Sequence, residues 1–367
     1  MSARRLSILL ALVLGACSVQ RWQPARMAST DEHMSHMMAA DVRAPASSGA
    51  SQAAAQGQGV AGLPASAVTA NARISASPRH GEWVKLAWEP GSKDSLMAWI
   101  VYPVRRDKAP VVVVVHEIFG LQTWVRSVAD QLAADGFIAI APDLLSRVRG
   151  GASTVELSAD TARRLIAGVD FTERNRGIVA AATYAMSQPS AVAKYGIVGY
   201  CWGGSTSWGH AVHNGAPGFG GAVAYYGLPF MNGAVPNADS LAKIRVPVML
   251  LNGSADARIG AAMPAVDSAM KALGKPYMGK NYEGAIHGFL RAQDDPAAQG
   301  GPAPAGPANL AAAYVNDTVA DVKAALEGAR DILSEQFAEN ADLVGRLRIY
   351  MKERAFLRSR VADGKQE

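Results

Sequence analysis

The chain has 367 residues, a formal net charge of +5, 49% hydrophobic and 18% charged residues, and two cysteines. Two cysteines exclude a disulfide framework, and a charge this close to neutral is not the footprint of a nucleic-acid binder. The length leaves room for one α/β domain with a large core, plus accessory ends.

At the N-terminus, Arg4 and Arg5 precede the apolar stretch Leu6 to Leu14, long enough for a signal-peptide core and too short to span a bilayer. It ends in Leu14-Gly15-Ala16-Cys17, and small residues ahead of a cysteine are the pattern of bacterial lipoprotein processing. Residues 1–16 are therefore expected to be a signal peptide, with Cys17 lipidated and the protein anchored in the bacterial cell envelope. Ser18 after the cysteine resembles the pattern sorted to the outer membrane, facing the periplasm. An ordinary secretory signal would export the chain equally. Removal of residues 1–16, which carry Arg4 and Arg5 and no acid, lowers the formal charge to +3. With Cys17 consumed by lipid, Cys201 has no partner in an oxidising compartment, so it must be buried or used.

Residues 17–77 are rich in Ala, Ser, Gly, Gln and Met with little hydrophobic periodicity, which predicts a flexible tether without a fold of its own. Within it, His33-Met34-Ser35-His36-Met37-Met38 offers soft ligands suited to copper, although low-complexity composition explains it as well.

Residues 78–340 read as the folded domain. Glu82 to Trp88 and Leu96 to Tyr102 alternate about Gly91-Ser92-Lys93-Asp94, predicting an antiparallel hairpin at a sheet edge. The valines Val111 to Val115 form a fully buried strand that ends in His116-Glu117-Ile118-Phe119-Gly120. Phe137 to Ala141 reads as a strand, Phe171 to Met186 as a helix, and Tyr195 to Val198 as a strand. Gly220 to Tyr225 and Val246 to Leu251 are further strands, Ala261 to Leu273 a helix, and Lys280 to Glu283 a short strand. This alternation means an α/β fold with a mostly parallel sheet covered by helices on both faces. Gly300 to Pro307 is a Pro/Gly/Ala loop ahead of a helix from about Leu310 to Glu339. Residues 341–367 form a basic helical extension, in which Arg346 to Arg360 either touches an anionic lipid or a partner or, more plainly, is a solvated helix.

The chemistry is expected at Gly199-Tyr200-Cys201-Trp202-Gly203-Gly204, a strand-to-helix elbow of α/β-hydrolase type with a thiol at its tip. So sharp a turn needs nearly side-chain-free residues flanking the nucleophile, and Gly199 and Gly203 supply them. A helix N-terminus beneath a thiol favours its thiolate form. The plainer alternative is a packed structural thiol. Behind the elbow, in the order this fold uses, come Asp256 after the Val246 to Leu251 strand and His287 after the Lys280 to Glu283 strand. In such a triad His287 takes the thiol proton, and Asp256 fixes its tautomer and stabilises the imidazolium. The loop after Val115 supplies one oxyanion donor and the residue after the nucleophile the other, which assigns the N–H groups of Ile118 and Trp202. Glu117 beside such a site must find the thiol, a basic side chain or water, since an unpaired buried charge is costly.

Together, His-Glu-Ile-Phe-Gly, Gly-Tyr-Cys-Trp-Gly-Gly, Ala222 to Gly227 (Ala-Val-Ala-Tyr-Tyr-Gly), the Asp256 loop and His287-Gly288-Phe289 resemble the dienelactone hydrolase (carboxymethylenebutenolidase) family over roughly Glu82 to Leu333. The resemblance implies an α/β-hydrolase fold with Cys201, Asp256 and His287 as the triad. It also implies that Glu117 holds the resting thiol and releases it when substrate enters. The implied reaction is lactone opening through a thioester, with no metal or other cofactor. The family holds a substrate carboxylate with two arginines. Arg291 matches the first; the second falls at Ala159, and a nearby family tyrosine falls at Arg163. Arg163 or Arg164 is thus a candidate for the same anion, against the plainer reading of a solvated helix surface. Tyr225 matches a substrate-pocket tyrosine and is equally readable as core. The Gly300 to Pro307 insertion departs from the compact family pattern.

The expected partner is a small-molecule lactone or ester, with no nucleic acid and membrane contact only through the N-terminal lipid; a monomer is favoured, with the oligomeric state left open. Two other classes remain open: a general esterase or thioesterase on the same triad, and a non-enzymatic, lipid-anchored binding or redox-sensing protein that uses Cys201 as a sensor.

Overall fold

The computed structural model describes residues 64–88, 91–153, 157–282 and 285–292. The expectations placed on residues 1–63 and 293–367 lie outside that set. They are the signal segment with Cys17, most of the tether with His33 to Met38, the Gly300 to Pro307 loop, the helix from Leu310, and the basic segment.

A short helix, α1 (Ala70–Ser75), precedes the strands β1 (Gly81–Ala87), β2 (Ser95–Val101) and β3 (Ala109–Val115). Next come α2 (Thr123–Ala134), β4 (Ile138–Pro142), α3 (Ser146–Arg149), α4 (Ala159–Ala167) and α5 (Phe171–Met186). The elbow region is β5 (Ala191–Tyr200), α6 (Trp202–Val212) and β6 (Phe219–Tyr225), followed by a small ribbon of β7 (Met231–Asn232) and β8 (Val235–Pro236). The last described part holds α7 (Ala238–Leu241), β9 (Val248–Gly253), α8 (Ala257–Ala272), β10 (Tyr277–Tyr282) and α9 (Phe289–Ala292).

Eight strands make one sheet in the order β1-β2-β4-β3-β5-β6-β9-β10. The pairs β1/β2 and β2/β4 are antiparallel; from β4 across to β10 the pairing is parallel. Val111 to Val115 are at most 3% exposed, and burying each contributes roughly 1.5–3 kcal/mol. A strand with no polar face needs cover on both sides, and α2 and α5 both pack on β3 and β4. The edge strand β1 keeps Glu82 and Lys85 exposed, charges that discourage pairing with another chain. The architecture is the expected α/β sheet with an N-terminal hairpin.

Helix α5 has the expected bounds because Asp170 caps it, accepting from the Glu173 N–H at 2.8 Å. Helix α8 starts at Ala257 rather than Ala261, since Asp256 is its N-cap and accepts from the Ile259 N–H at 3.2 Å. Strand β10 begins at Tyr277, earlier than Lys280, and pairs with β9 alone.

The tether boundary at residue 77 needs correction, because residues 64–77 belong to the folded body. Ala65, Ser66, Thr69 and Ala70 are each at most 4% exposed. Trp124 Nε1 donates to the Ala65 carbonyl at 3.0 Å, and Arg73 Nη1 to Gln131 Oε1 at 3.0 Å. Ser77 and Arg79 both bond Asp130 on α2. Small alanines and serines carry no helical periodicity in sequence, yet they fit closely once a surface exists to receive them.

Candidate active site

Cys201 lies between β5 and α6 with φ 58° and ψ −115°, a backbone conformation that side-chain-bearing residues rarely adopt. A Cβ on Gly199 would stand 2.0 Å from the Gly203 carbonyl oxygen, and one on Gly203 2.4 Å from that of Val115. Both glycines are therefore dictated by backbone packing at the elbow. The Cys201 N–H donates to the Tyr225 carbonyl at 3.0 Å, and its own carbonyl accepts from the Ser205 N–H at 3.1 Å. Strain held in place by its surroundings is a mark of a functional position.

Two loops on neighbouring strands bring the acid and the imidazole together. The Ser254 N–H donates to the Tyr282 carbonyl at 2.8 Å and the Ala255 N–H to the Ala285 carbonyl at 2.9 Å. The Gly253 backbone packs so closely on Ala285 that a Cβ there would lie 2.1 Å from its oxygen. With the loops so laced, His287 Nδ1 and Asp256 Oδ2 are 2.6 Å apart, with both side chains below 10% exposed at 8% and 7%. Burial by itself lowers the His287 pKa, but the neighbouring Cys201 and the hydrogen bond and charge of Asp256 outweigh it and raise the value to about 10. Asp256 moves the other way: burial raises its pKa, and the His287 hydrogen bond and charge, the Ile259 N–H and Arg258 bring it below the ordinary carboxylate value. Such a dyad holds a proton on the imidazole, with Nδ1 facing the carboxylate.

Glu117 is 5% exposed, and its Oε2 stands 2.8 Å from Arg291 Nε. Of the three partners open to it, the structure provides the basic side chain. That basic side chain is the arginine expected to receive a substrate carboxylate. The residue before Glu117, His116, is wholly buried: Nε2 accepts from the Leu144 N–H at 3.0 Å, and Nδ1 meets the Glu117 carbonyl at 2.5 Å. Burial lowers the His116 pKa, so this histidine serves as a neutral brace for the loop. Ile118 follows in a turn, 3% exposed. Trp202 is the first residue of α6, where helix N–H groups have no intrahelical acceptor.

The substrate candidates fare unevenly. The Tyr225 ring is fully buried, stacked on Tyr200 at 4.9 Å between centroids, so its ring belongs to the core while its carbonyl holds Cys201. Arg163 Nη1 donates to Asp160 Oδ1 at 2.6 Å on its own helix α4. Arg164 bonds Thr161 on the same helix.

Two residues near the site were not anticipated. Tyr226 has φ 39° and packs its buried ring 4.8 Å from that of His287. Arg174 is 6% exposed and holds its guanidinium 4.8 Å from the Trp202 ring centroid. Burial pushes the Arg174 pKa down to about 10 against the opposing charge of Asp170. Tyr226 was within reach of sequence reasoning, since it lies in the Ala222 to Gly227 motif; Arg174 carried no signal on a helix of mixed composition. Among the described residues, no group of three or more His, Cys, Asp and Glu side chains could hold a metal, and no helix is long and apolar enough to cross a membrane.

A family model described as the dienelactone hydrolase family matches residues 96–326, and a second, Tex central region-like, matches residues 303–367. A Methylorubrum extorquens protein provisionally named carboxymethylenebutenolidase is 31% identical over 198 residues, covering 52% of this chain and 67% of that protein. The carboxymethylenebutenolidase of Pseudomonas putida is 35% identical over 124 residues, covering 33% of this chain and 51% of that enzyme. The chain thus spans about two thirds or less of the length of these relatives. In fold, it is similar to a dienelactone hydrolase-like promiscuous phosphotriesterase from metagenomic libraries. The TM-score is 0.52 at 22% identity, with 68% of this chain and 98% of that one covered.

Proposed function

This chain is a member of the dienelactone hydrolase family, and on that premise we propose that it hydrolyses a lactone or carboxylic ester with Cys201 as nucleophile. The Cys201 sulfur forms a bond to the acyl carbon, and the carbonyl electrons move onto oxygen, facing the N–H groups of Ile118 and Trp202. Collapse breaks the acyl C–O bond, and the leaving enolate or alkoxide takes the proton held on His287. His287 then removes a proton from water, the hydroxide adds to the thioester, and the C–S bond breaks to return the thiolate and a carboxylic acid. Asp256 keeps the imidazole in the tautomer that serves both steps. Glu117 gates the thiol, its charge balanced by Arg291 until a substrate anion competes for that guanidinium.

The observation that carries this reading is the 2.6 Å contact between His287 and Asp256, in electrostatic reach of a thiol on a strained elbow. A short pulse of substrate followed by mass spectrometry of the intact protein should trap an acyl group on Cys201. A fully active Cys201→Ala variant would refute the assignment.

A general esterase or thioesterase on the same triad is the second reading, favoured by the pairing of Arg163 with Asp160, which leaves the family's two-arginine clamp half built. Turnover of a carboxylate-bearing lactone against a neutral p-nitrophenyl ester separates the two. Lipidation at Cys17, and with it attachment in the cell envelope, is part of the same proposal; metabolic labelling with a fatty-acid probe, lost in Cys17→Ala, tests it.

A further inference from the structure

The segment just before α1 touches the site. Its Ala67 N–H donates to the Arg291 carbonyl at 2.9 Å. Arg291 lies in α9, and a hydrogen bond to a residue's carbonyl restrains the main chain from which its side chain departs. An external donor at that carbonyl therefore fixes where the guanidinium starts from, and the guanidinium is the group that meets Glu117 at 2.8 Å.

The donor is itself held. The Ser66 N–H donates to Thr69 Oγ1 at 3.1 Å, and the Thr69 N–H to Ser66 Oγ at 3.3 Å, closing a turn around Ala67. One residue earlier, the Ala65 carbonyl accepts from Trp124 Nε1 at 3.0 Å. Trp124 in turn packs edge-on against Tyr200, with centroids 5.0 Å apart, and Tyr200 is the neighbour of Cys201. A line of direct contacts thus runs from the nucleophile's strand through Trp124 and residues 65–69 to the Arg291 helix, while the Ala67 side chain is exposed.

We propose that residues 65–69 are a positioning strap for the active site: the Ala67 N–H sets the Arg291 helix relative to Cys201, and so tunes discrimination for carboxylate-bearing substrates. The strap is built of small residues because its work is done by main-chain groups, which need close approach rather than side-chain bulk. It rests on the reading of Arg291 as the substrate-carboxylate residue given above.

The test uses the full chain. Ala67→Pro deletes the donor at an exposed position, and Trp124→Phe deletes the Ala65 anchor without touching the main chain. Both should speed amide hydrogen exchange over residues 287–292. Both should lower kcat/KM for a carboxylate-bearing lactone roughly fivefold more than for a neutral ester, about the worth of one hydrogen bond. Unchanged exchange in both variants overturns the strap. Faster exchange with an equal loss on both substrates overturns its part in discrimination, leaving only a structural contact. An Arg291→Ala variant that keeps its discrimination overturns instead the substrate role of Arg291, and the exchange data still decide whether the strap holds that helix.

Discussion

Arg291 Nε stands 2.8 Å from Glu117 Oε2, so the guanidinium is balanced by a carboxylate from the loop after β3. If Arg291 holds the substrate as proposed above, an anionic substrate would compete with Glu117 for the guanidinium, whereas a neutral ester would leave the pair intact.

Glu117→Gln removes the competing charge while keeping the shape. KM for a carboxylate-bearing lactone should fall several-fold, with little change for a neutral ester. The rate or pH profile of Cys201 alkylation should change as well. Identical iodoacetamide kinetics in the two proteins would remove Glu117 from any role at the thiol.

Asp256→Asn should lower kcat by roughly a hundredfold or more, since an amide cannot hold the imidazole tautomer or balance its charge. Linkage gives a second readout. The folded-state pKa of His287 is raised to about 10, so its stabilising contribution is complete below the ordinary histidine range and is lost as pH rises through about 10. Asp256 is depressed, so its contribution is present above the ordinary carboxylate range and is lost as pH falls through the lowered value. The Tm gap between wild type and Asp256→Asn should therefore be widest near neutrality and narrow toward pH 10 and in acid. A gap independent of pH would dismiss the dyad as an electrostatic unit.

Gly199→Ala should destabilise the fold by about 2–4 kcal/mol, because the added methyl meets the Gly203 carbonyl at 2.0 Å and the main chain must shift. Gly151→Ala is the control, with nothing within 4 Å of its Cβ position. Urea unfolding of both variants checks the difference, and equal midpoints would mean that the elbow relaxes freely.

Arg163→Ala should leave KM for carboxylate-bearing and neutral substrates within about twofold of wild type, as expected of a side chain bonded to its own helix. A tenfold rise confined to the anionic substrate would restore Arg163 as the second half of the clamp.

The sequence by itself determined the sheet and the order in which the candidate site residues follow one another. The valines Val111 to Val115 can only be a strand covered on both faces, and Gly199 and Gly203 flank Cys201 because no larger residue fits an elbow. Asp256 and His287 were legible because each follows a strand in the order that this fold requires. These are local signals: burial pattern, turn chemistry and succession along the chain. What only the tertiary structure decided are pairings between residues far apart in sequence. Arg291 meets Glu117 rather than standing open, Arg163 bonds Asp160 on its own helix, the Tyr225 ring joins the core, and Tyr226 packs on His287. Residues 64–77 looked like linker because alanine and serine carry no periodicity, and became part of the body through the hydrogen bonds of Trp124 and Ala67. Composition records what a segment can bury by itself; whether a small-residue segment finds a surface to fit depends on contacts that form only when the chain has folded.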